Sequence, residues 1–304
     1  MAYAVERGVP WHGLGTPVDG VMTAQAALVA AGLDWEVELR PVFTVVDDSG
    51  RRMLPIPIPT RRAVVRTSDD SPLGVVGTDY VPFQNREAFR FADNLVDSSD
   101  AKYETAASLR GGRTVFLAMR AEGFDVDGFD EHEMYLLLVT SHDGLKAVTC
   151  LPTPVRVVCR NTLNMAIRGA KRVWTARHVG DVQGRLQEAR AALGLTLGYR
   201  DALQAELEAL LAQPFTERRL RTTLNAVIPD RPQAEGARDA VVDLFLHSGT
   251  NEFGRGTKLG ALNAVGEYFD WARNPRTEES RVIGTLPGGA AAKARDRMLA
   301  ALSS

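Results

Sequence analysis

Cysteine is almost missing from this chain: Cys150 and Cys159 are the two in 304 residues. A disulfide framework is therefore excluded as the basis of the fold, and a reducing, cytoplasmic setting is expected. No run of about 18 apolar residues occurs, so no membrane-spanning helix is expected. The opening M-A-Y-A-V-E-R-G-V-P-W has no apolar core of the kind a secretory signal needs, so no signal peptide is expected. Excess charge is missing as well. The 36 Lys and Arg stand against 38 Asp and Glu, which argues against a binder whose whole surface is basic. There is no internal repeat and no low-complexity tract. The stretch G-R-G-T-K-L-G from Gly254 lacks the Lys-Ser/Thr ending of a phosphate loop.

One absence is local. No Asp or Glu occurs between Gly144 and Gly180. That window holds Lys146, Arg156, Arg160, Arg168, Lys171, Arg172 and Arg177. In a slightly acidic chain this is an inversion of charge, the footprint of a phosphate-rich partner. Trp174 would stack a base and Asn161 would hydrogen-bond one, so the segment is a candidate interface for single-stranded nucleic acid. Arg61, Arg62 and Arg66, with Arg110 and Arg113, form a second basic set. Arg62, Arg66 and Arg113 are the expected other wall of a groove. Against this stands a solvated face paired with acids from elsewhere, with Trp174 simply in the core.

The periodicity indicates α+β. A helix from Thr23 to Ala31 ends at Gly32. Alternation from Trp35 to Val46 reads as a strand, with a turn over Asp47 to Gly50. Arg51 to Ile58 returns with Pro55, Pro57 and Pro59 on alternate positions. Proline has no N–H for a ladder, so this reads as an edge strand or extended arm. Arg62 to Thr67 and Leu73 to Tyr80 are further strands. Gln84 to Val96 is an amphipathic helix, with Asn85 as a candidate cap. Tyr103 to Leu109, Thr114 to Arg120, Glu133 to Thr140, Lys146 to Cys150 and Val155 to Cys159 follow as strands, the last two broken by L-P-T-P. Asn161 to Ile167 reads as a short helix and Lys171 to Ala176 as a strand. After Gly180 the pattern turns helical: 181 to 213, 216 to 227, 235 to 247, 257 to 272 and 290 to 302. The expected organisation is an antiparallel β-rich α+β domain over 1–178, with packed helices, followed by a helical region over 179–304.

Bond-breaking chemistry leaves little trace. His132, His142, Cys150 and Cys159 are spaced H-x9-H-x7-C-x8-C, wider than the close ligand pairs of structural zinc sites. Cys159 with His178 would form a nucleophile and base, but a cysteine in V-V-C reads as a small hydrophobe. The D-V-D-G-F-D-E run from Asp125 reads as a solvated acidic turn. No metal, no cofactor and no catalytic residue is expected.

Seven stretches occur in order: P-W-H-G-L-G-T-P, G-L-D-W-E-V, V-V-G-T-D-Y-V-P-F-Q-N, G-G-R-T-V-F, S-H-D-G, T-P-V-R-V-V-C-R-N-T-L and L-N-A-V-G-E-Y-F-D-W. Together they resemble the phage/plasmid-like protein family, catalogued as a domain of unknown function. The resemblance covers about residues 8 to 300 and implies carriage on mobile elements. The helix ending A-G-L-D-W, the strands after it, and V-G-T-D-Y-V-P-F-Q-N before a helix are also similar to the β-β-β-α core of single-strand annealing proteins. That similarity implies rings or filaments that hold single-stranded DNA in a basic groove. The long helical part after Gly180 departs from that pattern. Three readings stand: a single-strand binder acting in recombination or replication, a host-interaction or assembly protein without nucleic acid, and a metal- or Cys-dependent enzyme. A homo-oligomer is expected, with the proline-alternating arm or strand edge at the contact.

Overall fold

The structure is a computed structural model. It describes residues 2–4, 16–18, 23–48, 52–96, 102–156, 161–162, 173–180, 190–274, 277–285 and 288–303. The expected α+β class holds: antiparallel strands fill the N-terminal and central parts and helices the C-terminal part.

β1 (Ala2–Ala4) and β2 (Thr16–Val18) precede helix α1 (Ala24–Ala30). Thr23 caps α1 by accepting the Ala26 N–H at 3.2 Å, and Gly32 closes it at φ 64°. β3 (Val37–Asp48), β4 (Arg52–Arg66) and β5 (Pro72–Val76) then form a three-stranded antiparallel sheet, and α2 (Asn85–Val96) follows. The larger sheet takes β6 (Lys102–Leu109), β7 (Thr114–Val126), β8 (Asp130–Ser141), β9 (Val148–Arg156), β10 (Asn161–Thr162) and β11 (Trp174–Ala176). Its order is β10-β9-β8-β7-β6-β1-β2, with β11 beside β9.

The run Y-L-L-L-V in β8 is apolar at every position because both sheet faces are covered. One face carries Leu117, Met119, Leu136 and Leu138 against Leu28 of α1 and Phe89 and Phe91 of α2. The other carries Phe116, Ala118, Leu137 and Leu151 against Val282. Val282 lies on α7 (Glu278–Thr285), a helix between the expected helices 257–272 and 290–302 that the sequence pattern does not mark.

The helices α3 (Arg190–Leu211), α4 (Glu217–Val227), α5 (Ala234–His247), α6 (Lys258–Glu267) and α8 (Ala290–Leu302) enclose the largest core. A π-helical turn, Tyr268–Ala272, extends α6. That core also takes in Phe124, Val126 and Met134 from β7 and β8, so the helical part is built onto one end of the large sheet.

Two expectations are corrected. β9 runs unbroken through L-P-T-P, because Pro152 and Pro154 pair with β8 where neither β10 nor β11 lies on the other side. The missing N–H groups therefore interrupt no ladder. Asn161 opens β10 rather than a helix. The continuation of that expected helix, and the start of the expected helix at Asp181, lie outside the described residues.

Candidate functional site

Four of the ordered stretches meet at one place. The carboxamide of Asn85 is fully buried at the start of α2 and donates to the carbonyls of Leu33 (2.9 Å) and Trp35 (3.4 Å). Its oxygen receives the His142 Nε2 hydrogen at 3.0 Å. Asn85 is thus a tie between loops, not a helix cap. The neighbouring Gln84 grips β3, accepting from the Val37 N–H and donating to the Val37 carbonyl, both at 2.9 Å. Trp35 meets the His142 ring edge-on at 5.2 Å and carries the Arg66 guanidinium over its own ring at 4.7 Å. The small sheet presses directly on the turn between β8 and β9. A Cβ on Gly74 would stand 2.5 Å from the Asp143 Cα, and one on Gly144 would meet Val76 at 2.7 Å.

Along this seam lies an open groove of about 750 Å³. One side comes from Arg61 and Val75 to Tyr80, the other from Asp143 to Ala147, and Arg177, His178 and Val179 close it. Tyr80 and Val179 form an isolated antiparallel bridge, and the Val81 N–H reaches the His178 carbonyl at 2.8 Å. The Tyr80 ring stacks on His178 at 4.9 Å, and its hydroxyl donates to the Ser141 carbonyl at 3.0 Å. Burial, then Asp143, pushes the Tyr80 hydroxyl up, so it stays a protonated donor. Burial pulls His178 down. His142, behind the groove, is pulled down to about 4 by burial first and then by His178. Lys146 is lowered by partial burial and then by Arg110. The groove holds Arg61, Lys146 and Arg177 against Asp79 and Asp143, with exposed Val75, Leu145 and Val179 around them.

The expected basic residues do not all converge. Lys146 and Arg177 line the groove together, joined by Arg61 from the second set. Arg113 is exposed close by, its carbonyl accepting the His142 N–H at 2.9 Å. Arg62 donates to the carbonyls of Pro59 and Arg61 at 3.2 and 2.8 Å. Arg66 is held by Trp35, by Asp69 at 3.2 Å and by the Gly111 carbonyl. β9 carries Arg156, and with it Asn161 on β10, to its far end. At about 3.3 Å per residue this is more than 25 Å from the groove. Arg160, Lys171 and Arg172 lie outside the described residues. Trp174, the expected base platform, is half-buried, stacks on Phe91 at 5.9 Å and packs against the core. The aromatic in the groove is Tyr80, whose signal in the sequence was its place in V-G-T-D-Y-V-P-F-Q-N.

His132 and His142 stand near opposite ends of β8, roughly 30 Å apart along the strand. They do not share a metal ion. Among the described residues no group of three or more His, Cys, Asp or Glu is placed to hold one. Cys150 is buried and its thiol is pushed up to about 12 by burial. In a Cys159→Ser background, a thiol reagent is expected to leave the native protein unmodified and to react once denaturant is added. Rapid labelling of the native protein would contradict this placement of Cys150.

A family model described as a domain of unknown function (DUF932) matches residues 72–286. That span opens at β5 and contains the whole groove except the Thr60–Arg61 side. No curated protein and no solved structure matches the chain.

Proposed function

The chain belongs to this family of domains of unknown function, and on that premise we propose that it binds single-stranded nucleic acid in the groove between its two sheets, as a homo-oligomer, in recombination or replication of a mobile element. The observation that carries the reading is the lining itself. Arg61, Lys146 and Arg177 are set among exposed aliphatic side chains and a stacked Tyr80–His178 pair. A single strand offers both matching chemistries, phosphates for the cations and unpaired base faces for the apolar and aromatic surface. A duplex hides its base faces. The order β3-β4-β5-α2, with α1 before it, supports the likeness to the β-β-β-α core of annealing proteins.

The test is a titration of a labelled single strand at several salt concentrations. Each phosphate contact to a single strand contributes about 0.7 to the log–log salt slope. Lys146→Gln with Arg177→Gln is therefore expected to weaken binding and flatten the slope by about 1.4. Tyr80→Ala is expected to weaken binding without changing the slope, because stacking releases no counterions. An unchanged slope in the folded double variant would sink the proposal. Binding that ignores salt altogether would favour a protein partner in the same groove.

A further inference from the structure

The small sheet does not end where its third strand ends. β5 pairs with β4 from Arg62 to Val65 only, while β3 and β4 continue together to Asp48 and Arg52. Beyond the bulge after Pro41 they form a two-stranded ribbon. Its side chains are apolar on both faces: Phe43 is 50% exposed, Val45 52%, Leu54 47% and Ile56 48%. A two-stranded ribbon with no covered face is at best marginally stable in water.

The backbone identifies which edge is open. In an antiparallel pair, residues alternate between exchanging hydrogen bonds with the partner strand and pointing them away. Two contacts set the phase. Val37 directs its N–H and carbonyl to Gln84, away from β4, and the Arg66 N–H goes to Ser71, away from β3. Odd-numbered residues of β3 therefore point outward. The register pairs Phe43 with Pro57 and Val45 with Pro55. The prolines thus take positions where no ladder N–H is needed, which agrees with that phase. They also leave the outer edge of β4 without donors at alternate positions. The outer edge of β3 keeps the N–H and carbonyl groups of Phe43, Val45 and Asp47, with no neighbouring strand among the described residues.

We infer that this edge of β3 pairs antiparallel with the same edge of a second copy of the chain, about a two-fold axis at Thr44. The second copy is the occupant because the segment complements itself. Centred on Thr44, the register sets Phe43 opposite Val45 of the second copy and Val42 opposite Val46. Apolar positions then face apolar ones, which is favourable across strands. Centring on Val45 instead would set Phe43 against Asp47. The inner limit is built in, because Gln84 already occupies the edge at Val37. The ribbon lies outside the family match over 72–286, so this contact is a property of this chain's own N-terminal part. The inference rests on the oligomer part of the reading above and not on the groove.

Light scattering over a range of concentrations, without nucleic acid, tests it. The wild type is expected to rise to twice the chain mass. Val45→Pro removes an outward N–H and no β4 bond, as Pro55 and Pro57 do, and is expected to keep the fold and stay a monomer. Thr44→Cys in a Cys159→Ser background is expected to oxidise to a linked dimer, since facing residues in a pair without mutual hydrogen bonds stand about 4.5 Å apart, within disulfide reach. Val46→Cys, which faces Val42 in that register, is expected to stay unlinked. A wild type that is monomeric at every concentration overturns both the oligomer and this edge. A Val45→Pro variant that dimerises like the wild type, or a Thr44→Cys chain that stays unlinked, overturns the edge alone.

Discussion

Acidification from pH 6.5 to pH 4 is expected to remove about 3 kcal/mol of folding stability through His142 alone. Burial pulls His142 from 6.5 to about 4, with His178 and Arg66 adding to the shift and Asp143 opposing it. The hydrogen-bond pattern gives the reason. Nε2 carries the hydrogen and donates to Asn85, which leaves Nδ1 as a buried acceptor with no partner among the described residues. A proton placed on Nδ1 would be a buried cationic donor with nothing to receive it. The sign follows. Above pH 6.5 the imidazole is neutral in both states and contributes no pH dependence. Between 6.5 and 4 the unfolded chain takes up a proton that the folded chain refuses, so stability falls as pH falls. Below 4 both states are protonated and the dependence ends. At about 1.36 kcal/mol per pH unit the loss comes to about 3 kcal/mol. His178 is lowered by burial too and acts in the same direction. Denaturant titrations at pH 7, 5.5 and 4 measure the loss. His142→Asn is expected to be less stable at pH 7 but to show a shallower slope. A wild type equally stable at pH 7 and pH 4 would mean that His142 is accessible to protons in the fold.

This cluster also shows what the sequence made legible. Alternation gave β3, the continuous apolar run gave β8, and capping signals gave α1, because those elements are fixed by which faces are buried and by local turn chemistry. Pro55 and Pro57 marked the part of β4 that pairs with β3 alone, although β4 as a whole is the middle strand, since a missing N–H is a property of the residue itself. The limits of β9 were not legible. Prolines 152 and 154 read as a break, and only the neighbouring strands make them harmless. The basic segment misled for a similar reason. Nearness in sequence made one site of Lys146 and Arg156, but a strand is extended, and β9 carries them apart. Arg61, Tyr80 and Lys146, separated by up to 85 positions in the chain, meet because Gly74 lets the small sheet close on the Asp143 turn. No local pattern encodes that approach. The ordered stretches did contain it, since Trp35, Asn85, Arg113 and His142 come from four of them.

The other large effect belongs to the helical part. Replacing Asp270 by Ala is expected to destabilise the protein by about 3–5 kcal/mol. Asp270 lies in the π-helical turn after α6 and is 1% exposed, while Arg295 on α8 is fully buried. Their side chains pair directly, Arg295 NH2 donating to Asp270 Oδ2. Arg281 adds to the same corner by donating to the Asp270 carbonyl at 2.6 Å and the Trp271 carbonyl at 3.0 Å. The surroundings are apolar, with Phe269, Ala291, Met298 and Leu299 buried nearby in sequence, so water cannot take over a lost partner. Removing the carboxylate leaves a guanidinium charge in that core, whose Nε and NH1 already have no hydrogen-bond partner among the described residues. An uncompensated buried charge is the costly outcome, more so than the loss of the pair itself. Arg295→Met together with Asp270→Ala is therefore expected to be more stable than Asp270→Ala alone, although it removes more polar contacts. Denaturant unfolding of the wild type, both single variants and the double variant closes a cycle whose coupling energy is the readout. Single-site losses that simply add in the double variant would show that the pair does not act as a unit and that the corner tolerates either charge alone.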